Sequence, residues 1–198
     1  MEVLRTGASM LGTLESESAI YTADKISDRL IACTPSMLLY WYHFHRNNSR
    51  LDTWNCEEQT VAGFFLQLLT GKKPEEDQRR AIDVALILYA EHELNASTFS
   101  ARVTASTESD FYSAIVSAIG TLRGPLHGGA NEEAMRLVQL FKTPEQARIG
   151  VTEMLAKKQK IMGFGHRVYK ISDPRSDIIK AWSQKLSTRS RDGYLFAV

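Results

Sequence analysis

The sequence predicts an all-α protein with a multi-helix fold, on three observations. Gly, Pro and cap residues divide the chain into pieces of helix length. Within these pieces the apolar residues recur at helical spacing, and no internal repeat or low-complexity tract interrupts them. A chain of 198 residues can also bury the core of one compact domain. We therefore expect residues 1–198 to be part of one helical domain.

The first half of the chain contains three helical patterns. Apolar residues recur at helical spacing over Ala23–His45, where Pro35 predicts a kink or break and hence two helical halves. A second helix is predicted over Glu57–Leu69, and Gly71 after it suits a left-handed cap. Pro74 lies where a first helical turn tolerates proline, so a third helix is expected to begin there.

Side chains able to cap a helix N-terminus mark the later helices. The predicted helices end at about Ser106, at Leu122, at about Gln159 and beyond Trp182. The Gly-rich interval from Ile161 to Tyr169 is predicted to be a loop between two of them. The candidate caps are Asn95 or Ser97, Ser109 or Asp110, Thr143 followed by Pro144, and Asp173 followed by Pro174.

Charge and composition exclude several classes of protein. Lys and Arg number 24 against 23 for Asp and Glu, and a net charge of +1 disfavours binding to nucleic acid. Cys33 and Cys56 fit a reducing compartment rather than a disulfide scaffold. The apolar run Met37–Tyr42 is too short to cross a bilayer, and Glu2 replaces the basic start of a signal peptide. We therefore expect a soluble, cytoplasmic protein with no membrane partner.

Three of the five histidines, His92, His127 and His166, lie beside predicted breaks in regular structure. An imidazole with an ordinary pKa of about 6.5 exchanges protons near neutrality, so these residues are candidates for acid–base chemistry. The alternative for each is a histidine that caps a helix or satisfies the core. Arg175 is a candidate for binding a carboxylate in a bidentate manner, or else a solvated surface residue. No metal-binding spacing is present.

Three segments resemble, in the same order, the signature segments of citrate synthases. They are Glu91–Thr98 (EHELNAST), Gly124–Glu132 (GPLHGGANE) and Gly163–Lys170 (GFGHRVYK) followed by Asp173–Arg175. Three further segments resemble the 2-methylcitrate synthase branch of that family. They are the opening MEVLRTG, the segment LYWYH beginning at Leu39 and the segment YAEHELNASTF beginning at Tyr89.

The resemblance implies a role for each matching residue. It implies that His127 hydrogen-bonds the thioester carbonyl as the acyl-CoA enolises, and that His166 polarises the ketone of oxaloacetate. It implies that His92 and Arg175 bind oxaloacetate. It further implies that coenzyme A is held by Ile161, Met162, Gly163, Phe164, Gly165 and Lys170.

The implied reaction condenses propionyl-CoA with oxaloacetate and hydrolyses the thioester to 2-methylcitrate and CoA. It requires no metal and no cofactor, since the CoA thioester is a substrate, and the family is typically a homodimer. The family's catalytic base is an aspartate from a later segment. We therefore expect these 198 residues to be the central part of an incomplete citrate synthase-like fold, inactive alone. A carboxylate within the chain, such as Asp173 or Glu93, is expected to be a cap or an ion-pair partner rather than the base.

Three alternatives stay open at this point. The first is a citrate synthase that uses acetyl-CoA, which differs from propionyl-CoA by one methylene. The second is a truncated, noncatalytic chain that binds a ligand or associates with a partner through its helices. The third is a helical scaffold in which the histidines are incidental.

Overall fold

The fold is all-helical, as predicted. A computed structural model describes residues 1–91, 93–166, 169–190 and 192–196. These residues form nine α-helices and a short 3₁₀ helix at Gly193–Phe196, with no β-strand among them. In chain order the α-helices are α1 (Glu2–Leu14), α2 (Ala23–Asn47), α3 (Val61–Thr70), α4 (Glu76–Tyr89), α5 (Ala96–Ala105), α6 (Phe111–Leu122), α7 (Ala130–Gln139), α8 (Pro144–Ala156) and α9 (Ser176–Ser187).

Helices α5, α6 and α8 each begin directly after a predicted cap residue. The side chains of Asn95, Asp110 and Thr143 each accept a hydrogen bond from the backbone N–H three residues further on. Such a bond satisfies one of the N–H groups that the first helical turn leaves without an intrahelical partner. The structure thereby selects Asn95 over Ser97 and Asp110 over Ser109.

The prediction of a break at Pro35 is wrong, because α2 is a single helix of 25 residues. Proline removes one helical hydrogen bond and crowds the preceding turn. Pro35 is nevertheless buried, and so are Ile26 on one side of it and Leu39 on the other. Packing of both halves against neighbouring helices offsets the local cost of the proline. Beside the proline, the Thr34 hydroxyl donates to the Leu30 carbonyl at 2.6 Å.

Several predicted boundaries move by a few residues. Helix α4 begins at Glu76 rather than at Pro74, because Glu75 is its cap residue. Helix α3 begins at Val61 rather than Glu57, because the Thr60 side chain caps it. Its predicted end is confirmed, since Gly71 follows in the left-handed conformation with φ 70°. Helix α8 ends at Ala156 rather than near Gln159, and α9 begins at Ser176, just after the predicted cap.

The chain divides into two compact units, Met1–Arg123 and Gly124–Val198. In the first unit α1 packs against α2 and α6, α5 packs against α6, and α3 packs against α2 and α4. Its core cluster joins Ala8, Ile26, Leu30 and Tyr112, from α1, α2 and α6. The prediction that residues 1–198 are part of one helical domain stays a prediction.

The second unit contains α7, α8, α9 and the 3₁₀ helix, which packs against α9. Phe141, between α7 and α8, packs on Gly150 of α8 so closely that a Cβ at that glycine would overlap the ring. Ala147 on the same helix is buried. Within the described part of the chain, no helix is both long enough and apolar enough to cross a membrane.

Substitution by alanine is expected to change the free energy of unfolding in opposite directions at two helical glycines of the first unit. A Cβ at Gly12 in α1 would lie 2.9 Å from Cγ of the buried Tyr112 ring, whereas at Gly120 in α6 the nearest atom is 3.9 Å away. We expect Gly12→Ala to lower the free energy of unfolding by about 1–3 kcal/mol through overpacking. We expect Gly120→Ala to raise it by about 0.5–1 kcal/mol through helix propensity. Urea denaturation of both variants checks this, and changes of the same sign would contradict it.

Candidate functional site

The loop that carries the third motif is built around two left-handed glycines. Gly163 has φ +90° and Gly165 has φ +80°, a region that glycine enters without strain. A Cβ at Gly163 would also lie 3.0 Å from Cβ of Ala134, so the loop packs closely against α7 there. Phe164 between the glycines is 75% exposed. The loop therefore presents backbone groups and one apolar ring to solvent, as a ligand-binding loop requires.

His166 follows these glycines and is exposed. Its Nδ1 accepts a hydrogen bond from the backbone N–H of Tyr169 at 3.2 Å, and the two ring centroids lie 4.6 Å apart with the planes tilted by 31°. A neutral imidazole has one N–H, so a ring that accepts at Nδ1 carries its proton on Nε2. This arrangement favours His166 as a donor through Nε2.

Arg175 is held by the carboxylate of Asp173 through three hydrogen bonds. The backbone N–H and Nε of Arg175 donate to Oδ1 at 2.9 Å and 3.0 Å, and Nη2 donates to Oδ2 at 2.7 Å. The hydrogen bond from the Arg175 side chain is the main reason that the pKa of the Asp173 carboxyl falls to about 2. Asp173 is therefore the ion-pair partner that the sequence led us to expect, and is too weakly basic to accept a proton near neutrality.

The four residues His166, Tyr169, Asp173 and Arg175 form one connected group, here called the loop cluster. Tyr169 connects its two halves, because its ring contacts His166 and its centroid lies 5.9 Å from the guanidinium carbon of Arg175. Sequence reasoning missed Tyr169, although an aromatic residue three positions after a loop histidine was a signal that could have found it.

His127 lies in the turn that leads into α7 and is half-buried. Its backbone N–H donates to the Gly124 carbonyl at 2.9 Å, and its carbonyl accepts from Ala130, the first residue of α7, at 3.0 Å. His127 therefore belongs to the turn at the N-terminal end of a helix, whose positive dipole end favours developing negative charge. Because Gly163 packs on α7, the helix that follows His127 and the loop that carries His166 are neighbours within the second unit.

For the remaining candidate residues the structure gives the degree of burial. Ile161 and Met162 are half-buried, and Lys170 is exposed. His92 lies outside the described residues. Among the residues that the structure describes, no group of three or more His, Cys, Asp or Glu side chains is arranged to hold a metal ion. The expectation that the chain needs no cofactor stays a prediction.

The sequence matches one family over its whole length. Residues 1–198 match the profile described as the citrate synthase C-terminal domain. The chain is 52% identical to a 2-methylcitrate synthase from Shewanella oneidensis over 198 residues, which is 100% of this chain and 52% of that protein. It is 42% identical to a citrate synthase from Synechocystis over 189 residues, 94% of this chain and 47% of that one. The chain thus spans about half the length of the relatives it matches.

Solved structures show the same similarity. Citrate synthase from Thermotoga maritima superposes with a TM-score of 0.80 at 33% identity, covering 98% of this chain and 51% of the other. Citrate synthase from Thermoplasma acidophilum, solved as a ternary complex with carboxymethyl coenzyme A and oxaloacetate, gives 0.79 at 30% identity over 98% and 52% of the two chains.

Proposed function

The chain belongs to the citrate synthase family, and on that premise we propose that its complete gene product is a 2-methylcitrate synthase. It condenses propionyl-CoA with oxaloacetate and hydrolyses the thioester to release CoA. The observation that carries the proposal is the loop cluster, which joins a histidine poised to donate through Nε2 to an arginine suited to a carboxylate. The similarity to a relative of that name across all 198 residues supports the choice of reaction.

The two candidate catalytic histidines, His127 and His166, divide the condensation between them. His127 donates a hydrogen bond to the thioester oxygen while a base removes a proton from the acyl α-carbon, so that the enolate charge forms beside a helix N-terminus. The α-carbon then bonds to the ketone carbon of oxaloacetate. His166 polarises the ketone through its Nε2–H and passes that proton to the new alkoxide, which becomes a hydroxyl. The ring then regains one proton, which balances the proton that the base removed from the α-carbon. Water finally adds to the thioester carbonyl, and the C–S bond breaks as the CoA thiol leaves.

Asp173 is not the base in this scheme. Three hydrogen bonds from Arg175 occupy its oxygens, and its pKa of about 2 leaves it a poor proton acceptor. We therefore assign the base to a carboxylate other than Asp173, and the resemblance points to the aspartate that the family supplies from a later segment. Asp173 instead fixes the orientation of Arg175, which together with His92 binds oxaloacetate.

The glycine loop holds the coenzyme. Left-handed Gly163 and Gly165 expose the backbone of residues 161–165, and Phe164 offers a ring for stacking on the adenine. Lys170 is exposed on the same loop and suits a CoA phosphate. No resident cofactor is needed, because the thioester itself is consumed.

The complete protein is proposed to be a homodimer. Light scattering after gel filtration measures its mass in solution and so tests this.

Turnover of two acyl-CoA substrates tests the proposal. We expect the complete gene product to release CoA from propionyl-CoA with a kcat/KM about 10-fold above that for acetyl-CoA, since one methylene is worth about 1–3 kcal/mol in a pocket. Thiol release is followed with and without oxaloacetate, because hydrolysis without the keto acid is not condensation. The intact mass of the assayed protein is measured by mass spectrometry. A mass near 22.3 kDa would show that the assayed protein consists of these 198 residues alone.

The outcomes separate the open alternatives. A preference for acetyl-CoA would make the protein a citrate synthase and would overturn the propionyl assignment. Binding of oxaloacetate without any CoA release by the complete gene product would favour a noncatalytic binding protein. Failure to bind either substrate would favour the third alternative, a helical scaffold in which the histidines are incidental.

A further inference from the structure

We propose that Tyr169 is the positioning residue of this site, which holds His166 and Arg175 together in one working arrangement. The inference rests on the proposed function, because it assumes that these two side chains act on the same keto acid. Neither the histidine nor the arginine lies in an α-helix among the described residues, so their orientation depends on contacts within the loop. Tyr169 makes such a contact with each of them.

The backbone of Tyr169 acts on the histidine. Its N–H donates to Nδ1 of His166 at 3.2 Å and so favours the tautomer with the proton on Nε2. An imidazole in the other tautomer would present a bare Nε2, which accepts hydrogen bonds and cannot protonate a ketone oxygen. The hydrogen bond therefore decides whether His166 faces its substrate as a donor or as an acceptor.

The ring of Tyr169 acts on both partners. It is half-buried while His166 is exposed, so the ring is the more confined of the two and restricts the imidazole that lies 4.6 Å from it. The same ring lies 5.9 Å from the guanidinium carbon of Arg175. Asp173 fixes that guanidinium through Nε and Nη2. Arg175 is thus oriented by a carboxylate and by the same ring that contacts His166.

Two variants and a control separate positioning from simple support of the loop. Tyr169→Phe keeps the ring and the backbone N–H, whereas Tyr169→Ala keeps the N–H and removes the ring. Ser172→Ala changes an exposed residue of the same loop and serves as the matched control. In the complete gene product we expect Tyr169→Ala to lower kcat and raise the KM for oxaloacetate, each by about 10-fold, as misplaced catalytic groups do. We expect Tyr169→Phe and Ser172→Ala to stay within about twofold of wild type.

A spectroscopic measurement tests the tautomer without any need for turnover. Long-range ¹H–¹⁵N correlation spectra of the 198-residue chain are recorded at about pH 8, where an imidazole of ordinary pKa is neutral. His166→Gln identifies the signals of that ring. We expect Nδ1 of His166 to resonate as a nitrogen without hydrogen and Nε2 as a protonated nitrogen.

Each result bears on the proposal in a stated direction. The Nδ1–H tautomer in the wild-type chain would overturn it, and so would a Tyr169→Ala variant that behaves kinetically like Ser172→Ala. A rise in KM for acyl-CoA equal to that for oxaloacetate would also overturn it, because it would indicate general loss of the loop. If the wild-type protein shows no condensation, the proposed function fails, while the tautomer measurement still tests the role of Tyr169.

Discussion

Replacement of His127 by alanine is expected to lower kcat of the complete gene product by about 10²–10³, the usual cost of removing one donor to a developing oxyanion. The half-buried imidazole precedes the first turn of α7, where it is proposed to stabilise the enolate oxygen. Because that charge exists only after proton removal, the loss should appear in kcat more than in the KM for acyl-CoA. Initial rates of CoA release over a range of both substrates measure it.

Controls separate the chemistry of His127 from its support of the turn. His45→Ala removes an exposed histidine that stacks on Trp41 in α2 and should leave kcat unchanged. His127→Gln keeps a hydrogen-bond donor and should recover part of the rate. An activity of His127→Ala within a factor of about three of wild type, with an unchanged circular dichroism spectrum, would remove His127 from the mechanism.

Ile26→Ala is expected to lower the free energy of unfolding of the 198-residue chain by about 2–5 kcal/mol, the range for truncating a fully buried isoleucine. Ile26 is 1% exposed and contacts the cluster of Ala8, Leu30 and Tyr112, where α1, α2 and α6 meet. The loss combines the transfer energy of the missing carbons with the cost of the cavity left behind. Urea denaturation measures it through the midpoint at a constant slope.

Ile31 on the same helix supplies the matched control. It is 56% exposed, so Ile31→Ala removes the same atoms from a surface position and should change the unfolding free energy by no more than about 0.5 kcal/mol. Equal losses for the two variants would show that α2 does not bury Ile26 as described. A changed slope for Ile26→Ala would instead mean that unfolding of the variant is no longer two-state.

Local chemistry explains why several elements were predictable. An N-terminal cap depends on one side chain and an N–H three residues away, so Asp110 and Thr143 located the starts of α6 and α8 without knowledge of packing. Gly71 located the end of α3 because the left-handed conformation suits glycine. The motifs also placed His166 and Arg175 in or beside a Gly-rich loop, since both are read directly from the chain.

Features that depend on distant partners were not predictable in the same way. Pro35 predicts a break from its own geometry, yet α2 continues because Ile26 and Leu39 are buried on either side of it. The choice between Asn95 and Ser97 as the cap of α5 was open in the sequence. The Asn95 side chain accepts from the Thr98 N–H, while the Ser97 hydroxyl donates to the Ala118 carbonyl of α6.

By itself the sequence determined the all-helical class, most helix ends and the identity of the candidate catalytic residues, because caps, apolar spacing and motifs act over a few positions. Only the tertiary structure decided that Tyr169 contacts both His166 and Arg175 and that Gly163 packs on Ala134. These contacts depend on how the loop turns at its left-handed glycines and on the packing of the loop against α7. A one-dimensional pattern contains the residues that make such a site but does not contain the distances between them.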